Sequence, residues 1–142
     1  KMNVAFVDSN GKKQFAYLGS YGIGITRLMG TLVEIFSDER GIIWPKSVSP
    51  FDVHLVHIED KETESWVKEV YQKLTSAGFD VLWDDRVGVS AGEKFADCDL
   101  IGIPIRLVVS KKVGDGKVEY KERGSDKVET ISFNDLIKQL QD

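Results

Sequence analysis

The sequence predicts an α/β fold in which a mixed sheet of roughly five strands is flanked by helices in three layers. Five strand-like runs follow residue 51, at 53–58, 79–83, 105–109, 118–121 and 128–131. Helical patterns separate the first three runs, and strands that are joined through helices usually pair in parallel. A turn rich in glycine, serine and aspartate separates the last two runs, which favours an antiparallel hairpin and makes the sheet mixed.

Each predicted helix of this region has a sequence signal of its own. Residues 62–77 repeat apolar side chains at helical spacing, and Gly78 marks the end of that helix. A shorter helix is expected over residues 92–100. Ser132 is a suitable N-cap for a last helix, because Asp135 follows three residues later.

The first part of the chain follows a different pattern. Strand-like runs at 4–7 and 13–18 flank Asn10 and Gly11, a dipeptide typical of tight hairpin turns. A glycine-rich turn comes next, and apolar residues at helical spacing then predict a buried helix over residues 25–36.

A connector is expected over residues 37–50, where glycine and proline interrupt any regular pattern. Trp44 lies within it, which predicts that the connector is held against a surface. We therefore divide the chain into a first part, residues 1–45, and a second domain, residues 51–142.

Composition restricts the classes of function. The net charge of −4 over 142 residues argues against a polycation that wraps nucleic acid regardless of sequence, but it permits a local basic patch. No apolar run approaches the ~20 residues that span a bilayer, and no targeting signal is evident, which fits a cytoplasmic protein without a membrane partner. Cys98 is the single cysteine, which excludes an internal disulfide and fits a reducing compartment.

The glycine-rich turn is the first candidate site. Glycines allow a backbone to approach a ligand closely, and a helix that follows favours anions at its N-terminus. Arg27 lies just beyond the turn and could bind phosphate oxygens through two N–H groups. A tight strand-to-helix joint with a surface arginine explains the same residues, and the order of the glycines does not match a dinucleotide-binding fingerprint.

Polar residues at the end of a predicted strand form a second candidate. Asp84 and Asp85 end the strand at 79–83, and ligands commonly bind where such strands end. Successive strand residues point to opposite faces, so a metal ion shared by the two acids is not favoured. A turn in which Arg86 neutralises the acids is the simpler interpretation.

The predicted helix at 92–100 carries the third candidate. Phe95 and Asp99 share a helix face, so the ring could stack on a base while the carboxylate accepts hydrogen bonds from the base edge. Alternatively, Phe95 lies in the core and Asp99 in solvent. Arg106 and Lys112 could contact phosphates or bases, or could form a solvated edge. The sequence contains neither metal-ligand spacing nor a Ser-His-Asp set.

Four segments, in order along the chain, resemble bacterial-type prolyl-tRNA synthetases, which are class II aminoacyl-tRNA synthetases. GSYGIGITR at 19–27 is similar to their motif 3, and GIIWP at 41–45 is similar to their exit from the catalytic domain. DDR at 84–86 and GEKFADCDLIGIPIR at 92–106 resemble the signature of their anticodon-binding domain. The resemblance covers nearly the whole chain and makes residues 1–45 a hairpin-plus-helix remnant of the catalytic domain.

The resemblance implies two sets of site residues. Arg27 would hold the phosphates of ATP, beside an ATP and proline pocket shaped by Gly19, Ser20, Gly22 and Gly24. The anticodon would be bound by Lys94, Phe95, Asp99, Arg106, Lys112 and Arg86. The last two anticodon bases for proline are guanines. Carboxylates suit the N1 and N2 donors of guanine, and arginine or lysine suits its O6 and N7 acceptors.

The whole enzyme that the resemblance implies is a homodimer that joins proline to its tRNA with ATP and Mg²⁺. Family motifs 1 and 2 and the editing insertion have no counterpart in this sequence, and residues 87–91 depart from the charged, proline-containing loop usual in the family. We therefore expect a chain that recognises the anticodon of the tRNA for proline, binds no cofactor or metal by itself and does not activate proline alone. The alternatives are a stand-alone RNA-binding module without ligase activity and an α/β ligand-binding domain unrelated to RNA.

Overall fold

The structure is a computed structural model that describes residues 4–141. Its first part contains five elements in chain order, β1 (Ala5–Val7), β2 (Lys13–Phe15), α1 (Ile25–Ile35), β3 (Ser37–Asp38) and β4 (Gly41–Ile42). Its second part contains eight, β5 (Val53–His57), α2 (Glu64–Ser76), β6 (Val81–Asp84), α3 (Ala91–Ile101), β7 (Ile105–Val109), β8 (Lys117–Glu122), β9 (Val128–Ser132) and α4 (Phe133–Gln141). A short 3₁₀ turn at Lys46–Val48 lies between the two parts.

The five strands of the second part form one sheet in the order β6–β5–β7–β8–β9. Strand β5 lies between β6 and β7 and pairs in parallel with both. Strands β7, β8 and β9 pair with each other in antiparallel fashion. The alternation of strands and helices therefore predicted the sheet correctly, including the antiparallel hairpin that makes it mixed.

Helices cover both faces of this sheet and give three layers. On one face, Val53 and Leu55 of β5 belong to a core completed by α2 and α4. The helices contribute Val67, Val70, Leu74, Phe133 and Leu136 to that core. On the other face, Val56 of β5 and Val108 of β7 pack against Cys98 of α3.

A buried lysine fixes α3 to the sheet. The Lys94 side chain is 2% exposed, and its Nζ lies 3.6 Å from Asp84 Oδ1. The same ammonium donates a hydrogen bond to the carbonyl oxygen of His57 at 2.9 Å. Arg86 donates Nε and Nη2 to the two Asp84 carboxylate oxygens at 2.9 and 2.8 Å, as expected for a self-neutralising turn. This cluster ties the carboxyl ends of β5 and β6 to the first half of α3.

The connector contains a hairpin that the sequence did not predict, and this hairpin packs against the end of α3. Gly102 ends α3 with a φ of +79°, and a Cβ there would overlap the carbonyl oxygen of Ile42. A Cβ at Gly41 would lie 2.6 Å from a carbonyl oxygen of α3. Trp44 donates its Nε1 to the carbonyl oxygen of Ile101 at 3.0 Å. The expectation that this tryptophan holds the connector against a surface is therefore confirmed.

The prediction that α1 is buried is wrong for the part of the chain that the structure describes. None of its residues is buried, and Ile25, Leu28 and Met29 are among the large apolar side chains left exposed. Helical spacing identified the helix and its apolar face correctly. Residues 4–141 contain no element that covers that face.

We expect Gly102→Ala to destabilise the protein more than the matched substitution Gly78→Ala. Both glycines follow a helix with positive φ, +79° and +91°, so alanine at either position adds about 1–2 kcal/mol of backbone strain. Nothing lies within 4 Å of a Cβ at Gly78, whereas overlap with Ile42 costs Gly102→Ala about 1–3 kcal/mol more. Urea unfolding measures both losses. Equal losses would contradict the close approach of the connector to α3.

We also expect the stability difference between the wild type and Asp84→Asn to shrink by about 1 kcal/mol as the pH falls from about 5 to about 3. Hydrogen bonds from Arg86 lower the pKa of Asp84 from its ordinary 3.8 to about 2. Because the folded pKa lies below the unfolded one, the ionised carboxylate stabilises the fold above the unfolded pKa. That contribution is lost as the pH falls through the folded pKa. Urea unfolding across this pH range tests the expectation, and a constant difference would refute it.

Candidate nucleic-acid interface

An aromatic ring and a guanidinium stack on the sheet face that α3 covers. Phe95 projects from α3, and the guanidinium carbon of Arg106 in β7 lies 4.4 Å from the centroid of its ring. The ring also packs against the small core on this face, and Arg106 is 9% exposed. Two residues that the sequence singled out are therefore in direct contact, and Phe95 belongs to the core as well as to the candidate site.

Asp99 lies one helical turn after Phe95 on α3, as the spacing predicted. Its side chain is 17% exposed, and Arg40 Nη1 in the connector lies 3.9 Å from Asp99 Oδ2. Arg123, which follows β8, donates its Nε to the carbonyl oxygen of Asp99 at 2.8 Å. The Asp99 carboxylate is thus partly open to solvent, beside two arginines that sequence reasoning missed.

Further charged side chains surround Arg106. Lys121 of β8 lies directly opposite it in the strand register, and Glu119 Oε1 lies 3.7 Å from Arg106 Nη2. Like charges on facing strand residues repel each other. Arg106 Nε is buried and has no hydrogen-bond partner among the described residues. Two facing cations favour a ligand that carries negative charge or hydrogen-bond acceptors.

Lys121 and Glu119 were missed because only the apolar half of their strand was interpreted. They alternate along β8 with Val118 and Tyr120, which are buried on the opposite face. Since side chains alternate between the two faces of a strand, the polar half of the pattern was available in the sequence. What the sequence lacked was the register that places Lys121 beside Arg106.

Burial shifts the pKa of two titratable groups near this face toward the uncharged form. His54 of β5 lies opposite Arg106 in the register between β5 and β7, and burial lowers the pKa of His54. Burial also raises the pKa of the Cys98 thiol to about 12, so the thiol stays protonated, as fits the packing residue that the sequence suggested. The electrostatics of the face therefore depend on its arginine, lysine and carboxylate side chains.

The other three residues predicted to bind an anticodon lie apart from this group. Lys94 is inside the protein, where it has no surface to offer a base. Arg86 contacts the carboxylates of Asp84, at the end of β6, and of Asp97, on α3. Lys112 is exposed and follows the far end of β7, whereas Arg106 is near the start of that strand.

The residues predicted to hold ATP and proline lie in an exposed segment. This segment contains Gly19, Ser20, Gly22, Gly24 and Arg27. A single exposed arginine beside glycines does not enclose a nucleotide, so the described residues do not form an ATP site by themselves. Within residues 4–141, no group of three His, Cys, Asp or Glu side chains could hold a metal ion. No helix in that range has the length and apolar character needed to cross a membrane.

Comparison with known proteins identifies the family of the second domain. Residues 50–142 match the protein family described as an anticodon binding domain. The chain is 50% identical to the proline–tRNA ligase of Exiguobacterium sibiricum, over 96% of this chain and 24% of that protein. It is 46% identical to the proline–tRNA ligase of Staphylococcus epidermidis, over 99% of this chain and 25% of that protein. The chain thus spans about a quarter of the length of these curated relatives.

A solved structure shows the same fold. The prolyl-tRNA synthetase from Cryptosporidium parvum, crystallised with L-proline and AMP, superposes with a TM-score of 0.78. The match covers 96% of this chain and 30% of that one at 24% identity, so the likeness concerns the fold. Because the family match covers more than half of its residues, the chain belongs to the anticodon binding domain family, in the form that curated proline–tRNA ligases carry.

Proposed function

We propose that this chain is the anticodon-recognising part of a proline–tRNA ligase, and that Phe95, Asp99 and Arg106 read the guanines of the proline anticodon. The observation that carries the proposal is the stack of Phe95 and Arg106 at 4.4 Å, with Asp99 one turn along the same helix. An aromatic ring, a guanidinium and a carboxylate side by side are the groups that proteins use to bind unpaired RNA bases.

Asp99 is the residue suited to distinguish guanine from adenine. Guanine presents the N1–H and N2–H donors on one edge, and a carboxylate accepts both, whereas adenine presents an acceptor at N1. The Asp99 side chain is 17% exposed, and Arg40 Nη1 lies 3.9 Å from its carboxylate, beyond hydrogen-bond distance, so its oxygens remain open to such donors.

Phe95 and Arg106 are suited to hold a base in place. Bases stack on aromatic rings and on guanidinium planes, and such stacking contributes about 1–3 kcal/mol per base. Arg106 also carries a guanidinium, whose N–H donors suit the O6 and N7 acceptors of guanine. Lys121 beside it supplies positive charge close to the RNA backbone.

Under this proposal, the ligation of proline to tRNA with ATP and Mg²⁺ belongs to a longer, dimeric enzyme. Arg27 and the glycine-rich turn contribute to its ATP and proline pocket, and residues 1–45 are part of its catalytic domain. The exposed apolar face of α1 supports this assignment, since Ile25, Leu28 and Met29 require a covering surface. Such a surface is expected from the remaining three quarters of a protein like the curated relatives.

A stand-alone RNA-binding module is the second candidate. The second domain alone meets its requirements, because that domain has a complete core of its own. A module would have no use for the glycine-rich turn and Arg27, whose presence favours the ligase.

We expect the 142-residue chain to bind an anticodon stem-loop of the tRNA for proline more tightly than a copy with inosine in place of the two guanines. Inosine lacks only the N2 amino group, so it removes one donor that a carboxylate accepts. In Asp99→Asn the preference for guanine should fall by about tenfold, the lower range of discrimination by a bidentate contact. Fluorescence anisotropy measures the four affinities.

Asp80→Asn is the matched control, because it removes the same charge from an exposed position before edge strand β6, which β5 separates from β7. It should leave the preference for guanine unchanged. Equal binding of both RNAs by the wild type would refute anticodon recognition. An unchanged preference in Asp99→Asn would remove Asp99 from the proposed site.

A further inference from the structure

The connector is tied to the backbone of Asp99 by a buried arginine. The Arg123 side chain is 2% exposed. It donates Nη1 and Nη2 to the Asp38 carboxylate at 2.9 and 2.7 Å, and Nε to the carbonyl oxygen of Asp99 at 2.8 Å. Hydrogen bonds from this guanidinium hold the pKa of the Asp38 carboxyl well below its ordinary value. The turn between β3 and β4 is therefore fixed in place beside the last turn of α3.

That turn brings a second arginine to the Asp99 side chain. Asp38 Oδ1 accepts the backbone N–H groups of Arg40 and Gly41 at 2.9 and 3.1 Å, which fixes the direction in which Arg40 leaves the turn. Arg40 Nη1 then lies 3.9 Å from Asp99 Oδ2, and Nη2 lies 3.3 Å from Asp126 Oδ1. Arg40 is shared among three carboxylates, since Asp38 Oδ2 lies 3.7 Å from its Nε.

The distance between Arg40 and Asp99 determines which kind of contact the two side chains make. At 3.9 Å the guanidinium attracts the carboxylate but is too far away to form a hydrogen bond with it. The attraction restricts the rotation of the carboxylate, while the oxygen lone pairs stay available for the N–H donors of a base. Arg40 itself is compensated by carboxylates on three sides and is poorly placed to neutralise a phosphate.

We propose that Arg40 is a positioning residue that sets the guanine selectivity of Asp99. This inference rests on the proposed function, in which Asp99 reads guanine. A carboxylate that is already oriented loses less rotational freedom when it binds two donors, so the orientation favours guanine over bases that offer fewer donors. The connector, which does not belong to the α/β domain, thereby contributes to reading the anticodon.

The test compares Arg40→Met with Lys127→Met in the full chain. Lys127 is an exposed cation next to Asp126, so its loss changes the net charge equally in the same region without touching Asp99. We measure affinities for the guanine and inosine stem-loops, and the dependence of each affinity on salt. In Arg40→Met the preference for guanine should fall about two- to fivefold, the range of a partly exposed ion pair. Lys127→Met should retain the wild-type preference.

Each outcome separates the two proposals. One outcome is that the wild type prefers the guanine stem-loop, that Asp99→Asn abolishes this preference, and that Arg40→Met retains it. In that case the proposed role of Arg40 is wrong and the proposed function stands. If Arg40→Met weakens the binding of both RNAs equally and lowers the slope of log affinity against log salt concentration by about one, Arg40 contacts a phosphate and the inference fails. A wild type that binds both RNAs equally overturns both proposals. Arg40→Lys, which keeps the charge, should restore part of the lost preference.

Discussion

The buried ammonium of Lys94 is the interaction on which the candidate site depends. Helix α3 carries Phe95 and Asp99, yet few apolar residues attach it to the sheet. Lys94 joins its first half to the carbonyl oxygen of His57 and to the Asp84 carboxylate. The glycine contact with the connector fixes its other end. A polar anchor at one end and a backbone contact at the other therefore hold Phe95 and Asp99 in register with β7.

Periodicity predicted the sheet and its helices because each strand and helix there has a core to face. It failed at α1, since spacing reveals which side of a helix is apolar and not whether a partner covers it. The β3–β4 hairpin was not predicted, because strands of two residues show no periodicity. Its stability depends on the pair of Asp38 and Arg123, which lie 85 positions apart. In the site, helical spacing paired Phe95 with Asp99, but only the fold could show the stack with Arg106.

An acidic protein can still gather several of its cations in one place. The net charge is −4, yet Arg106, Lys121 and Arg123 are gathered, largely buried, around one face. Arg106 and Arg123 each lie near a carboxylate, so little of their charge extends as a long-range field. Such an arrangement favours contacts with base edges over general attraction to phosphates, and it favours selectivity over tight binding to any RNA.

The contact between Gly102 and the connector also determines where the molecule is able to bend. Two backbones that touch without intervening side chains cannot slide past each other, and Ile43 N–H donates to the carbonyl oxygen of Phe36 at 2.8 Å. The segment from Phe36 to Trp44 consequently travels with the α/β domain as a single body. Any pivot between this body and the preceding helix lies upstream of Phe36. A displacement of the α/β domain would therefore carry the segment from Phe36 to Trp44 with it, and any change of angle would be taken up at the end of α1.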